Sequence, residues 1–291
     1  MRRLFIVLTV VLISATLSFA QSVGGQDDPD SAPIQAGYAV VTPVIVTTTA
    51  GSGGTVTTTT SGLVVFETFG LREILGGALQ AGVLPPDLTT SALLFVDHDD
   101  HLAKNIGVAI VNPNSTSENV GLTLRKKDGT VIGTTTLNVP ADNQIAKLVS
   151  ELFPSPMAAP GEITGTVAIT STDPVAVIGL RFRAINFSTI PATNLAGSSS
   201  PLPMITANAG GPGAILLPQF VAGAFWASEL VLINTNSTTS MTVRVDLFKQ
   251  DGTPLTTGLN GQTGSSFTGI NIPAGGVVVL APRAGDGDDD F

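Results

Sequence analysis

The sequence predicts an all-β fold of two tandem β-sandwich repeats, the second completed by strands from the N-terminus. Three observations lead there. Charged residues make up only 12% of the 291 and apolar residues 43%. Much of the remainder is Thr, Ser, Asn and Gly, and β-branched Val and Thr fit a pleated, half-buried surface. Second, the chain repeats itself. Asn112-Pro113-Asn114-Ser115-Thr116 returns as Asn234-Thr235-Asn236-Ser237-Thr238, Asp128-Gly129-Thr130 as Asp251-Gly252-Thr253, and Pro140-Ala141 as Pro273-Ala274, at offsets of 122, 123 and 133. Offsets this long indicate duplicated domains rather than a solenoid, whose periods run roughly 20–50 residues. Third, the repeat is out of phase with the chain ends. Gly37 to Thr42 resembles Gly165 to Thr170, Gly62 to Phe66 resembles Pro174 to Ile178, and Gly70-Leu71-Arg72 resembles Gly179-Leu180-Arg181. The N-terminal segment therefore reads as the closing half of a repeat whose opening half lies at the C-terminus.

Taken in order, residues 1–20 read as a secretory signal peptide: Arg2-Arg3, an apolar stretch from Leu4 to Ile13, and Ser18-Phe19-Ala20 before cleavage at Gln21. The apolar run is shorter than the roughly 20 residues of a membrane span, and no later segment qualifies. Removing residues 1–20 takes two arginines and no acid from a chain of net charge −9, leaving −11. So acidic a surface argues against nucleic acid and anionic membrane as partners. There is no cysteine, which excludes disulfides and thiolate chemistry.

Residues 21–36 read as a polar linker. Residues 37–70 hold two strand-like runs, 37–43 and 62–69, around the Thr/Gly/Ser tract 47–61, and residues 71–91 read as a short helix or irregular connector. The first complete domain spans 92–188. Its strands are expected at 91–96, 106–111, 120–125, 131–139, 163–170 and 175–182, with a turn at Lys126 to Gly129. Ile145, Leu148, Val149 and Leu152 share one helical face, which predicts a short helix over Gln144 to Phe153, stopped by Pro154. Residues 189–213 are rich in Pro, Gly and Ser and read as a linker. The second domain, 214–283, repeats strands at 230–233, 242–248 and 277–280, before an acidic tail at 284–291.

The stretches GVAIVNPNSTSENVGLTLRKKDGTVIGTTTLNVPADNQIAKLVSELFP and GTVAITSTDPVAVIGLRFR resemble repeat modules of uncharacterised secreted bacterial proteins with immunoglobulin-like or fibronectin-like β-sandwiches. The resemblance covers residues 37–188 and, less closely, 214–283. It implies two tandem Ig-like sandwiches in an extracellular protein and supplies no catalytic residues.

One polar cluster has the residue types of a metal site: Asp97, His98, Asp99 and His101, with Asp100 among them. An EF-type calcium loop is excluded, because the sixth position from Asp97 is Leu102 rather than Gly. The other reading of the cluster is a solvated turn. Phe225 and Trp226 are candidate ligand-binding aromatics on a loop of the second domain. Gly210-Gly211-Pro212-Gly213 lacks the Lys-Ser/Thr of a phosphate loop, and no nucleophile elbow is present. No cofactor is implied. These features lead to the expectation of a non-catalytic structural or adhesive protein of the cell surface or matrix. Its partners would be further copies of itself, joined by head-to-tail strand exchange, or a surface polysaccharide or protein. A carbohydrate- or other ligand-binding module, and a metal-dependent hydrolase built on Asp97, His98 and His101, are the alternatives.

Overall fold

The computed structural model describes residues 46–50, 54–58, 67–71, 79–157, 161–184, 186–196, 202–206, 209–215, 217, 219–221 and 228–282. The expected signal peptide, the 21–36 linker, the strand-like run 37–43, Phe225, Trp226 and the acidic tail lie outside the described residues. Nearly everything described is antiparallel β. Strand β1 (Val46–Ala50) pairs with β2 (Gly54–Thr58), and β3 (Glu67–Leu71) with β4 (Leu79–Val83). The Thr/Gly/Ser tract thus carries a hairpin of its own, and part of the expected 71–91 connector is strand.

The first repeat contains β5 (Thr89–Asp99), β6 (Lys104–Asn112), β7 (Glu118–Lys126), β8 (Val131–Val139), β9 (Asn143–Leu148), the helical turns α1 (Val149–Leu152) and α2 (Pro154–Met157), β10 (Glu162–Arg183), β11 (Asn186–Pro191) and β12 (Thr193–Asn194). They form one eight-stranded sheet that curls around its own core. The curl depends on β10. Its first half lies between β5 and β7, with Val167 opposite Leu94 and Leu124; its second half lies between β6 and β11, with Gly179 opposite Val108 and Ile190. Inside are Leu94, Val96, Ile106, Ile110, Leu122, Leu124, Val167 and Val177, with Phe153 and Met157 from the helical turns.

Three expectations change here. The stretches 163–170 and 175–182 are one strand, not two joined by a turn. The register shifts between Thr170 and Val175, where Pro174 has no amide to give a ladder. The buried Glu118 carboxylate accepts the Thr172 amide at 2.5 Å, and Asn114 Nδ2 donates to the Pro174 carbonyl at 3.1 Å. Backbone groups left over by the irregularity are thereby satisfied, and the strand continues. The helix expected over 144–153 is a strand as far as Leu148, because Gln144 to Leu148 pair with Val111 to Gly107 of β6. A long-range ladder overrides the local helical spacing. Only Val149–Leu152 make a turn of helix, where the Glu151 carboxylate accepts the Leu148 amide at 2.8 Å. Much of the 189–213 stretch is also strand. It holds the ends of β11 and all of β12, then β13 (Leu202–Thr206) paired with β14 (Ala209–Ala214).

The second repeat contains β15 (Leu230–Ile233), β16 (Met241–Asp246), β17 (Thr257–Leu259), β18 (Gln262–Gly264), β19 (Ser266–Ile272) and β20 (Val277–Leu280). Strand β15 pairs with β20 and β16 with β19, as β6 pairs with β9 and β7 with β8. The hairpin β17–β18 has no counterpart in the first repeat, and the sequence offset grows from 123 to 133 across it.

The recurring motifs are the same device twice. Asn112 is buried at the end of β6. Its Nδ2 donates to the carbonyls of Thr116, Val139 and Pro140 at 2.8, 3.1 and 3.1 Å, and its Oδ1 accepts the Asn114 amide at 3.0 Å. Asn234 does the same at the end of β15, donating to Thr239, Ile272 and Pro273 at 2.8, 3.3 and 3.0 Å and accepting the Asn236 amide at 3.0 Å. In the two Asp-Gly-Thr turns Gly129 and Gly252 take φ of 86° and 80°, a region open to Gly at no steric cost. The Thr130 amide, 2.9 Å from Asp128, holds that carboxyl below its ordinary range; the Thr253 hydroxyl and amide do so for Asp251.

Candidate functional site

The polar cluster singled out in the sequence sits at one end of the first repeat, on β5 and the turn to β6. Strand alternation divides it. Asp97 is buried, and its Oδ2 lies 2.7 Å from Arg181 Nη2 and 3.4 Å from Lys104 Nζ. Arg181 Nη1 in turn reaches Glu229 Oε1 at 3.3 Å. Two carboxylates and two cations thus form a neutral group, and Glu229 belongs to the segment that leads into β15. His98, one residue on, is also buried. Its Nε2 is 3.5 Å from Asp100 Oδ1 but out of line for a hydrogen bond, and neither ring nitrogen has a hydrogen-bond partner. Asp99 shapes the turn, its Oδ1 accepting the amides of His101 and Leu102 at 2.8 and 3.3 Å. Asp100 and His101 are exposed. Among the described residues no three His, Cys, Asp or Glu side chains gather to hold a metal ion. The cluster is divided between an ion group, a turn and an isolated imidazole.

Sequence reasoning missed the partners that give Asp97 its role. Arg181 was legible only as part of the expected strand 175–182, and Glu229 carried no signal.

The ion group stands beside a second contact between the repeats. The Lys127 carbonyl, in the turn between β7 and β8, accepts the Val277 amide at 2.8 Å. The approach is backbone to backbone: a Cβ on Gly129 would overlap the Ala274 carbonyl, and one on Gly276 would lie 2.5 Å from the Lys127 oxygen. Arg125 braces the turn by donating to the Gly129 carbonyl at 3.1 Å. Turn, ion group and glycines together make a junction between the two repeats.

A cleft of about 700 Å³ opens nearby, between β8 and the helical turns. Ile132, Leu152, Phe153, Pro156 and Ile163 line it, with Lys126 and Glu162 also on its wall. Phe153 packs on Gly133, where a Cβ would come within 2.8 Å of its ring.

Among the described residues no helix is long and apolar enough to cross a membrane. No family model matches the chain, and neither a curated protein nor a solved structure does.

Proposed function

We propose that this chain is a non-catalytic structural or adhesive protein of the cell surface or extracellular matrix, built from tandem Ig-like β-sandwich repeats. The observation that carries the reading is the junction. An ion group of Asp97, Lys104 and Arg181 in the first repeat reaches Glu229 of the second, with two glycines allowing the backbones to meet. A protein that transmits position or force along its length needs such a joint, whereas a free-standing binding module does not. The leader at residues 1–20 supports export, and the lack of cysteine leaves stability to packing and ladders.

Cell fractionation tests the proposal. In a bacterial host the chain is expected in the periplasm, at the surface or in the medium, beginning at Gln21 by mass spectrometry. Retention in the cytoplasm with residues 1–20 still attached would overturn it.

A further inference from the structure

The second repeat lacks the strand that organises the first. In the first repeat β10 covers one edge of β7 and one edge of β6. Among the described residues nothing pairs with the corresponding edges of β16 and β15. The apolar side chains there are open too. Val120 and Leu122 on β7 are buried, but their counterparts Val243 and Val245 are only half-buried. Ile215 and Leu217 stand at the positions of Leu93 and Phe95 on β5, which also pairs with β10. They are 84% and 59% exposed, where Leu93 and Phe95 are each 7%. Apolar residues along unpaired edges mark a surface that another strand covers.

The place where the N-terminal segment ends indicates what covers it. Glu67 opens β3 opposite Val83. Next to Val83, the Gly82 carbonyl accepts the Thr189 hydroxyl of β11 at 2.7 Å. Thr189 faces Leu180, and Arg181, the next residue of β10, reaches Glu229 at 3.3 Å. Glu229 directly precedes Leu230, the first residue of β15. Residues 37–66 therefore lead into a hairpin held at the junction, on the side where the open edge of β15 begins.

The sequence of the segment matches the missing strand in the same place. Gly62 to Phe66 resembles Pro174 to Ile178, in the half of β10 that pairs with β6. From Ile178 the chain runs into the hairpin with β11, Gly179 opposite Ile190; from Phe66 it runs into the hairpin of β3 with β4, Glu67 opposite Val83. Gly37 to Thr42 resembles Gly165 to Thr170, the half that pairs with β7. The hairpin β1–β2 falls between the two, where β10 has its irregularity. Ala176, Val177 and Ile178 face Val111, Ile110 and Ala109, so Val64, Val65 and Phe66 fall opposite Ile233, Leu232 and Val231. That register runs out at the Glu229 end of β15, the end beside which the hairpin is held.

We propose that residues 37–66 of the same chain insert along β16 and β15 and complete the second repeat, so that the first strands of the chain belong to its last domain. The hairpin tethers the segment at the site, which gives it an effective concentration on the order of mM against any strand from another copy. Closure of this kind also covers edges that would otherwise pair between molecules. The proposal concerns how the second repeat is built; it goes beyond the role proposed above and does not rest on it.

Thr170 faces Gly121 and Ala168 faces Thr123, which places Thr42 opposite Arg244 and Val40 opposite Asp246. The chain has no cysteine, so an introduced pair reports without background. The chain carrying both Thr42→Cys and Arg244→Cys is expected to cross-link within itself under oxidation, giving a monomer that runs faster on a non-reducing gel than after reduction. A mixture of the two single variants is expected to give no cross-linked dimer of one with the other. Should Arg244→Cys fail to fold, Val40→Cys with Asp246→Cys reads the same register. Covalent multimers from the double variant without an internal cross-link, together with a dimer in the mixture, would assign the strand to a second copy and overturn the proposal; so would the absence of any cross-link. Neither result bears on where the chain resides, which fractionation reads separately.

Discussion

Replacing Asn112 with alanine is expected to destabilise the first repeat by roughly 2–4 kcal/mol, because three carbonyls lose their donor in a buried site. The Asn112 amide group gathers the end of β6, the Thr116 loop and the turn after β8 at one point. Asn112→Asp is expected to cost more than Asn112→Ala, since it turns a carboxylate toward the same three oxygens. Urea unfolding read by amide exchange in β6 and β9 checks both. Equal stability of the alanine variant and the natural chain would contradict the account. The same pair of changes at Asn234 is expected to act on β15 and β20, because its bonds are the same.

The second large effect is at the junction. Asp97→Asn is expected to cost about 3 kcal/mol, the lower end of what breaking a buried pair costs, since Arg181 is a quarter exposed. The change removes the carboxylate that Lys104 and Arg181 share and loosens the hold of Arg181 on Glu229. A double-mutant cycle of Asp97→Asn with Arg181→Gln isolates the coupling, expected at about 1–3 kcal/mol. Additive effects would mean that the two side chains stabilise the junction independently.

The duplication was legible because its markers act locally. Asn112, Asp128 and their counterparts bond their own neighbouring backbone, so residue type and spacing carry the geometry. The parts that were not legible are set by partners far along the chain. Gln144 to Phe153 has a helical face, but the free edge of β6 takes its first half as strand. Ser171 to Pro174 has the composition of a turn, yet Glu118, 54 residues away, receives the Thr172 amide and lets β10 run on. Asp97 has the neighbours of a metal ligand, and its role is decided by Arg181, 84 residues away.

Among the described residues the second repeat has no counterpart of β10, which was visible in the sequence only as a phase shift. The structure adds which edges are open and which strand of the first repeat corresponds to the one that would close them. Amide exchange at β15 and β16 in the chain beginning at Gln21, with and without residues 37–66, tests that account most directly. The expected result is protection of the edge amides that is lost when residues 37–66 are deleted. Unchanged protection after the deletion would contradict it.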